Sequence, residues 1–98
     1  EITFAFRLRQ TIAESHHAIQ PFDQEAWASH YSALDAHDAL DAFDASRSWN
    51  MQFIRAVGPE GESKLVLHPE RGEMTFRTIV ETMAGHDMNH VRQIEKLV

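Results

Sequence analysis

Helix-breaking residues are concentrated in one short part of this chain. Residues 58–74 contain three of the four glycines and two of the three prolines. Glycine and proline end or kink helices, so a segment that holds most of them is expected to form a loop. The stretches on either side are nearly free of both residues and are long enough for extended helices. This distribution favours an all-α fold, and a length of 98 residues suits one globular domain.

Apolar residues repeat with a helical period in three segments. The first segment spans residues 2 to about 13. The second is a long stripe from about residue 32 to residue 57, where Gly58 should end the helix. The third begins after Thr75, a good N-cap residue, and continues to about residue 97. A connector between the first two segments holds a further short helix, for which Asp23 is a plausible N-cap.

The charge of the chain argues against a nucleic-acid partner. The sequence has 9 Lys and Arg against 15 Asp and Glu, a net charge of −6. Binding a phosphate backbone requires clustered cations, which an acidic chain of this kind does not supply. Four of the acidic residues belong to an Asp-Ala triplet repeat, residues 35–45, which is interpreted as a solvated start of the long helix.

Two further absences in the sequence limit where the protein is expected to act. No apolar run approaches the ~20 residues of a membrane span, so no membrane association is expected. The chain has no cysteine, which excludes disulfides, thiolate nucleophiles and Cys-type zinc sites. A soluble protein in the reducing cytoplasm is therefore expected, and any metal must be bound by His, carboxylate or water.

Two histidines interrupt the apolar stripe of the last predicted helix. His86 and His90 are four residues apart, which on a helix means about 6 Å of rise and about 40° of rotation, so both imidazoles can face one ion. Because the stripe is expected to face the core, each ring needs a partner that offsets its desolvation, and a divalent metal would be one. Two histidines hydrogen-bonded inside a bundle are the alternative. Asp87 occupies the position that glutamate has in a His-Glu-x-x-His protease motif.

Other polar residues are weaker candidates for chemistry. Arg47 interrupts the stripe of the long helix and is expected to pair with a carboxylate or carbonyl, with recognition of a substrate anion as the alternative. His68 precedes Pro69 and is expected to shape its loop rather than bind a metal. The adjacent His16 and His17 diverge by about 100° on a helix and are expected at the surface. No Gly-x-Ser-x-Gly elbow and no Gly-rich phosphate loop occur.

Three segments together resemble the DinB-like superfamily, also described as YfiT-like metal-dependent hydrolases. They are EITFAFRLR at residues 1–9, HPERGEMTF at residues 68–76 and AGHDMNHVRQI at residues 84–94. The order is the most telling part: a His-Pro-Glu loop is followed by a helix that ends in His-Asp-x-x-His-x-x-Gln-Ile. The resemblance covers nearly the whole chain.

The resemblance implies a four-helix up-down bundle and a metal site. Members of this superfamily typically hold nickel or zinc with three histidines, two of them on the last helix, and His86 and His90 match those two. The third histidine of the family usually lies upstream of the segment that residues 1–9 resemble, commonly in a His-Leu pair. The resemblance thus implies a third ligand before Glu1, and a first family helix that this sequence lacks.

Residues 1–98 are accordingly expected to form a single, N-terminally truncated DinB-like helical domain. Several family members are transferases or isomerases that use bacillithiol, mycothiol or glutathione. We therefore expect a divalent-metal-dependent hydrolase or thiol S-transferase, with Ni or Zn on His86 and His90 and a low-molecular-weight thiol or another small molecule as substrate. The alternative is a non-catalytic helical module with vestigial histidines. In either case a missing helix would expose an apolar groove, which a second copy could cover, so a homodimer is expected.

Overall fold

The prediction of an all-α fold is confirmed, with the addition of a small sheet. A computed structural model describes residues 1–14 and 17–98, and Ser15 and His16 lie outside the described residues. The prediction that His16 lies at the surface therefore concerns a residue outside this range. The elements in chain order are the helices and strands α1 (Ile2–Ala13), α2 (Gln24–Ala28), α3 (Ala36–Glu62), β1 (Leu65–His68), β2 (Gly72–Thr75) and α4 (Phe76–Leu97).

Side-chain caps determine where three of these helices begin. Asp23 Oδ1 accepts a hydrogen bond of 3.0 Å from a backbone N–H three residues further on, and Thr75 Oγ1 does the same at 3.1 Å. Both predicted caps are thereby confirmed. Asp35 Oδ1 accepts hydrogen bonds from the backbone N–H groups of His37 and Asp38, at 2.8 and 3.0 Å. This cap starts α3 at Ala36, a few residues later than predicted. Every residue from Asp35 to Ala45 is exposed, as the interpretation of the triplet repeat requires.

The long helix α3 is kinked near its carboxyl end at Gly58. The φ and ψ angles of this residue are 70° and 178°, in a region that glycine occupies without a steric clash of a Cβ atom. Pro59 follows and has no backbone N–H to continue the helical hydrogen bonds. The predicted end of the long helix at Gly58 is confirmed, although a short helical segment continues beyond the kink to Glu62.

The strands β1 and β2 form an antiparallel hairpin that the sequence did not predict. Val66 pairs with Met74, and both side chains are buried in the core. Three residues connect the strands. Gly72, the first residue of β2, adopts a left-handed backbone conformation with φ at 76°, which glycine allows. The hairpin turns the chain from α3 back into α4 and covers one end of the core.

Residues 17–19 lie along the free edge of β1. Leu67 donates its backbone N–H to the His17 carbonyl at 3.1 Å, and its own carbonyl accepts from the Ile19 N–H at 2.8 Å. His17 is half-buried, and both of its ring nitrogens are inaccessible to solvent. The expectation that His17 lies at the surface is therefore wrong, because this edge pairing draws the segment against the sheet.

The core lies between α1, the hairpin and the first half of α4, with α3 packed on one side. Within the described part of the chain its buried apolar side chains are Leu8, Ile19, Val66, Met74, Phe76, Ile79 and Met83. None of the helices in the described part combines the length and apolarity needed to span a bilayer.

The prediction that the whole stripe of α4 faces the core is wrong beyond Met83. Met83 is 4% exposed, whereas Ile94 and Leu97 further along the stripe are 62% and 85% exposed. His86 and His90, between these residues, are exposed as well. The reason is that the buried cluster ends at Met83. The turns of α4 beyond this residue extend past the core, where α1 and the hairpin do not cover them.

Candidate functional site

The imidazoles of His86 and His90 converge on α4. Their Nε2 atoms are 3.2 Å apart, and the ring centroids are separated by 4.4 Å with an angle of 77° between the planes. The four-residue spacing on a helix produces this arrangement, as the sequence predicted. The role of the two residues as metal ligands stays a prediction, because convergence is also compatible with a hydrogen bond between the rings.

Gln93 determines which nitrogen of His90 carries the proton. Gln93 Oε1 lies 2.8 Å from His90 Nδ1, and a carbonyl oxygen can only accept a hydrogen bond. Nδ1 is therefore the protonated nitrogen, and the neutral ring keeps its lone pair on Nε2, which faces His86. The sequence offered one signal for this contact, the spacing of three residues on a helix.

His86 is held between a carboxylate and an aromatic ring. Its Nδ1 lies 3.8 Å from Asp87 Oδ1, which is beyond hydrogen-bond distance. The ring of Phe4 on α1 packs edge-on against the imidazole, with 5.8 Å between centroids. With its proton on Nε2, His86 donates a hydrogen bond to the lone pair of His90 Nε2; with its proton on Nδ1, both rings present lone pairs to the space between them.

The separation of the two Nε2 atoms fits one shared divalent ion. Metal–nitrogen bonds of about 2.0–2.1 Å with angles of about 90–110° place two ligand nitrogens about 2.8–3.4 Å apart. The observed 3.2 Å lies within this interval. Residues 1–14 and 17–98 contain no group of three or more His, Cys, Asp or Glu side chains suited to an ion. Within this part of the chain, the pair would supply two ligands of such an ion.

Arg47 on α3 connects the candidate site to α1. Its Nη1 lies 2.7 Å from Asp87 Oδ2, while Nε and Nη2 donate to the Glu1 carboxylate at 3.0 and 2.7 Å. The guanidinium also lies over the ring of Phe43, 5.0 Å from its centroid. The predicted pairing of Arg47 with a carboxylate is confirmed. The same contact holds Asp87 against α3, so its carboxylate is fixed in position beside His86.

Asn50 extends this polar network into the interior. Its side chain is 1% exposed and donates from Nδ2 to Glu1 Oε1 at 2.8 Å. Its Oδ1 accepts from Arg9 Nη1 at 2.7 Å, and the Arg9 guanidinium lies over the ring of Phe53. Both ends of the buried amide therefore have partners. Neither Asn50 nor Arg9 is among the residues that the sequence predicts for the site.

The network shifts the pKa values of Glu1 and Arg47 in opposite directions. Burial raises the pKa of the Glu1 carboxyl, but the hydrogen bonds from Arg47 and Asn50 outweigh burial and hold this pKa below its ordinary value. The hydrogen bonds to Glu1 and Asp87 raise the pKa of the Arg47 guanidinium. Both groups are therefore charged at neutral pH and hold α1, α3 and α4 together beside the histidine pair.

Comparison with known proteins identifies the family of the chain. No curated protein gives a significant match. A family model described as the DinB superfamily matches residues 2–94. The match includes α1, α3, the hairpin, both histidines and Gln93. The chain belongs to the DinB superfamily.

Proposed function

We propose that this protein is a metal-dependent enzyme, a hydrolase or a thiol S-transferase, in which His86 and His90 hold a nickel or zinc ion. The observation that carries the proposal is the distance of 3.2 Å between the two Nε2 atoms. Membership of the DinB superfamily supports it, because the resemblance to the family includes both histidines. When bound, a divalent ion lowers the pKa of a coordinated water or thiol and so supplies a nucleophile at neutral pH.

The residues around the pair orient the two imidazoles. Gln93 Oε1 accepts a hydrogen bond from His90 Nδ1 and so keeps the Nε2 lone pair free to bind. Asp87 faces Nδ1 of His86, and Arg47 fixes the position of that carboxylate from α3. The acceptor behind His90 fixes its tautomer and raises the basicity of the nitrogen that binds the ion. The Asp87 carboxylate, 3.8 Å from His86 Nδ1, acts on the other ring only through its charge.

The exposure of the pair suits a site that exchanges ligands. The side chain of His86 is 47% exposed, so a small molecule can approach the Nε2 atoms from solvent. Catalytic zinc sites keep such an open position, whereas structural sites are closed by four protein ligands. The substrate class that we propose is a low-molecular-weight thiol or another small molecule. A cytoplasmic location belongs to the same proposal and is supported by a sequence without cysteine.

Metal content tests the proposal directly. Untagged protein is purified without chelator, incubated with zinc or nickel and separated from free ion, and we expect about one bound ion per chain. His86→Ala and His90→Ala should each lose most of this ion. His37→Ala removes an exposed histidine of α3 and should retain it, as a matched control.

Circular dichroism of the same samples separates a binding site from a structural one. We expect unchanged helicity in both alanine variants, because the two histidines lie outside the buried core. An ion content that is negligible in the unchanged protein, or equal in all four proteins, would contradict the proposal. A large loss of helix in both variants would make the pair structural.

The exposed apolar side chains of α4 favour a second candidate function, a non-catalytic helical module that forms a homodimer. They are each more than half exposed and comprise Met88, Val91, Ile94 and Leu97. Apolar groups grouped at a surface are stabilised when a partner covers them. In this candidate the two histidines form a hydrogen bond with each other and bind no ion, so the metal measurement distinguishes the two functions.

A further inference from the structure

A cavity of about 130 Å³ lies beside the histidine pair, between α1, the hairpin and α4. Thr82 lines this cavity and precedes His86 by four residues on α4, which is about 6 Å of helical rise. Phe4 also lines the cavity, and its ring contacts the imidazole of His86. The cavity is therefore adjacent to the candidate metal site but is built from different residues.

The charged side chains that the described residues contribute to the cavity lining are both cations. Arg7 of α1 and Arg71 of the hairpin turn belong to the lining, and no carboxylate of residues 1–14 or 17–98 does. Among the described residues no Asp or Glu forms an ion pair with either arginine. Arg7 donates one long hydrogen bond of 3.4 Å to the Gln20 carbonyl, and burial lowers its pKa. An anion in the cavity would offset this cost of burying a positive charge.

His68 contributes a neutral hydrogen-bond donor to the same cavity. Its Nδ1 accepts hydrogen bonds of 3.1 Å from the backbone N–H groups of Glu70 and Arg71. The predicted role of His68 in shaping its loop is thereby confirmed. Because Nδ1 acts as an acceptor, the proton of the neutral ring is on Nε2, which can donate to a ligand. The same hydrogen bonds fix the backbone from which the Arg71 side chain extends.

The remaining wall of the cavity is apolar. Ile19, Met74 and Ile79 line it, and all three also belong to the buried core. The cavity therefore combines an apolar lining with two arginines and a histidine. Sites of this composition bind molecules that join a hydrocarbon body to a charged head.

We propose that this cavity binds the carboxylate of a small organic anion, held by Arg7, Arg71 and His68, with the hydrocarbon part against the apolar wall. Guanidinium groups suit carboxylates because their parallel N–H donors match the two oxygens. The net charge of −6 repels anions from the molecule as a whole, so binding depends on these local donors. The anion site is inferred from the cavity alone. The further step, that the bound anion is part of the enzyme's substrate, rests on the proposed function.

The site is tested by titrating the 98-residue chain with benzoate. Calorimetry and the NMR shifts of the hairpin measure the binding. Benzamide has the same shape without the charge and is the matched control ligand. We expect benzoate to bind with a Kd in about the millimolar range and benzamide at least about tenfold more weakly. Arg71→Gln and Arg7→Gln should each weaken benzoate binding about tenfold or more, and Arg55→Gln, at an exposed position of α3, should leave it unchanged.

The outcomes separate this site from the metal site. The titration is made without added metal, and His86→Ala should bind benzoate as the unchanged chain does, so loss of the metal function leaves this result intact. No binding of benzoate, equal binding of benzamide, or full binding by Arg71→Gln would overturn the proposal. Arg71 lies on an exposed turn, so its replacement tests the site even if Arg7→Gln impairs folding. Tighter binding of inorganic phosphate than of benzoate would overturn the assignment to carboxylates.

Discussion

Arg47 Nη1 lies 2.7 Å from Asp87 Oδ2, and this contact joins the middle of α3 to the residue that follows His86. The same guanidinium binds the Glu1 carboxylate, whose side chain is 5% exposed, while that of Arg47 is 25% exposed. These charges are therefore largely removed from water, and each depends on the others for compensation. One side chain thus stabilises the contact between three helices and positions the carboxylate beside the candidate ligand.

Replacement of Arg47 by glutamine should lower the free energy of unfolding by about 2 kcal/mol or more. The change leaves the Glu1 carboxylate with a single strong donor, Asn50, in a site that excludes most water. Urea unfolding followed by circular dichroism measures the effect. Arg77→Gln is the matched control, because the pair of Arg77 with Glu81 is exposed and screened by water, so its loss should change stability little. Equal effects of the two replacements would contradict a buried role for Arg47.

Stability should decline in acid through the titration of Glu1. The pKa of this carboxyl is lower in the folded chain than its ordinary value of 4.5, so the unfolded chain binds the proton more readily. The stabilising contribution is complete above the ordinary pKa and is lost as the pH falls through the lowered one. Unfolding free energies measured between neutral pH and acid should therefore fall less steeply in Glu1→Gln than in the unchanged chain. Parallel curves for the two proteins would show that Glu1 is not the group responsible.

The hairpin shows why part of the fold could not be predicted. Its four-residue strands are too short for a strong alternating pattern, and only Val66 and Met74 face the core. The turn also lacks an Asn-Gly or Asp-Gly pair, the strongest sequence signal for a hairpin. Hydrogen bonds from the turn to His68 Nδ1 stabilise the turn instead. The sequence predicted that His68 shapes this loop, but not that the residues on either side of the turn pair as strands.

The candidate site divides in the same way between local and non-local features. The convergence of His86 and His90 is local to one helix and followed from a spacing of four residues. The contacts of Asp87 with Arg47, and of Glu1 with Asn50, join residues at least 40 positions apart. No periodicity in the sequence signals such pairs, because they depend on how three helices pack. The exposure of the second half of α4 also depends on packing and overturned the expectation of buried histidines.

Replacement of Asn50 by alanine should lower the free energy of unfolding by about 1–3 kcal/mol. The buried amide satisfies Glu1 Oε1 and Arg9 Nη1 at the same time, and alanine can replace neither hydrogen bond. Thermal and urea unfolding measure the change. Ser48→Ala, at an exposed position of the same helix, should change stability by no more than about 0.5 kcal/mol. A neutral effect of Asn50→Ala would show that water replaces the amide without cost.

Gln93 should act as a positioning residue for the proposed ion. Gln93→Ala removes the acceptor at His90 Nδ1, and we expect the affinity for zinc to fall about tenfold to 100-fold. Gln93→Glu keeps an acceptor at this position and should restore most of the affinity. Competition with a chromophoric chelator measures both variants, and Gln52→Ala, at an exposed position of α3, is the control. Weak binding by the glutamate variant, or unchanged binding by the alanine variant, would exclude this role.

The exposed apolar residues of α4 should support a homodimer in solution. Val91 and Ile94 are 53% and 62% exposed on the turns of α4 beyond His90, where a second copy could cover them. Sedimentation equilibrium at micromolar concentrations should give twice the chain mass of 11.2 kDa. Val91→Asp should shift the equilibrium to the monomer, because a two-fold interface would bring two buried carboxylates into it. Tyr31→Asp alters an equally exposed residue outside α4 and should leave the dimer intact. A monomer for the unchanged chain, or the same response to both replacements, would contradict dimerisation through α4.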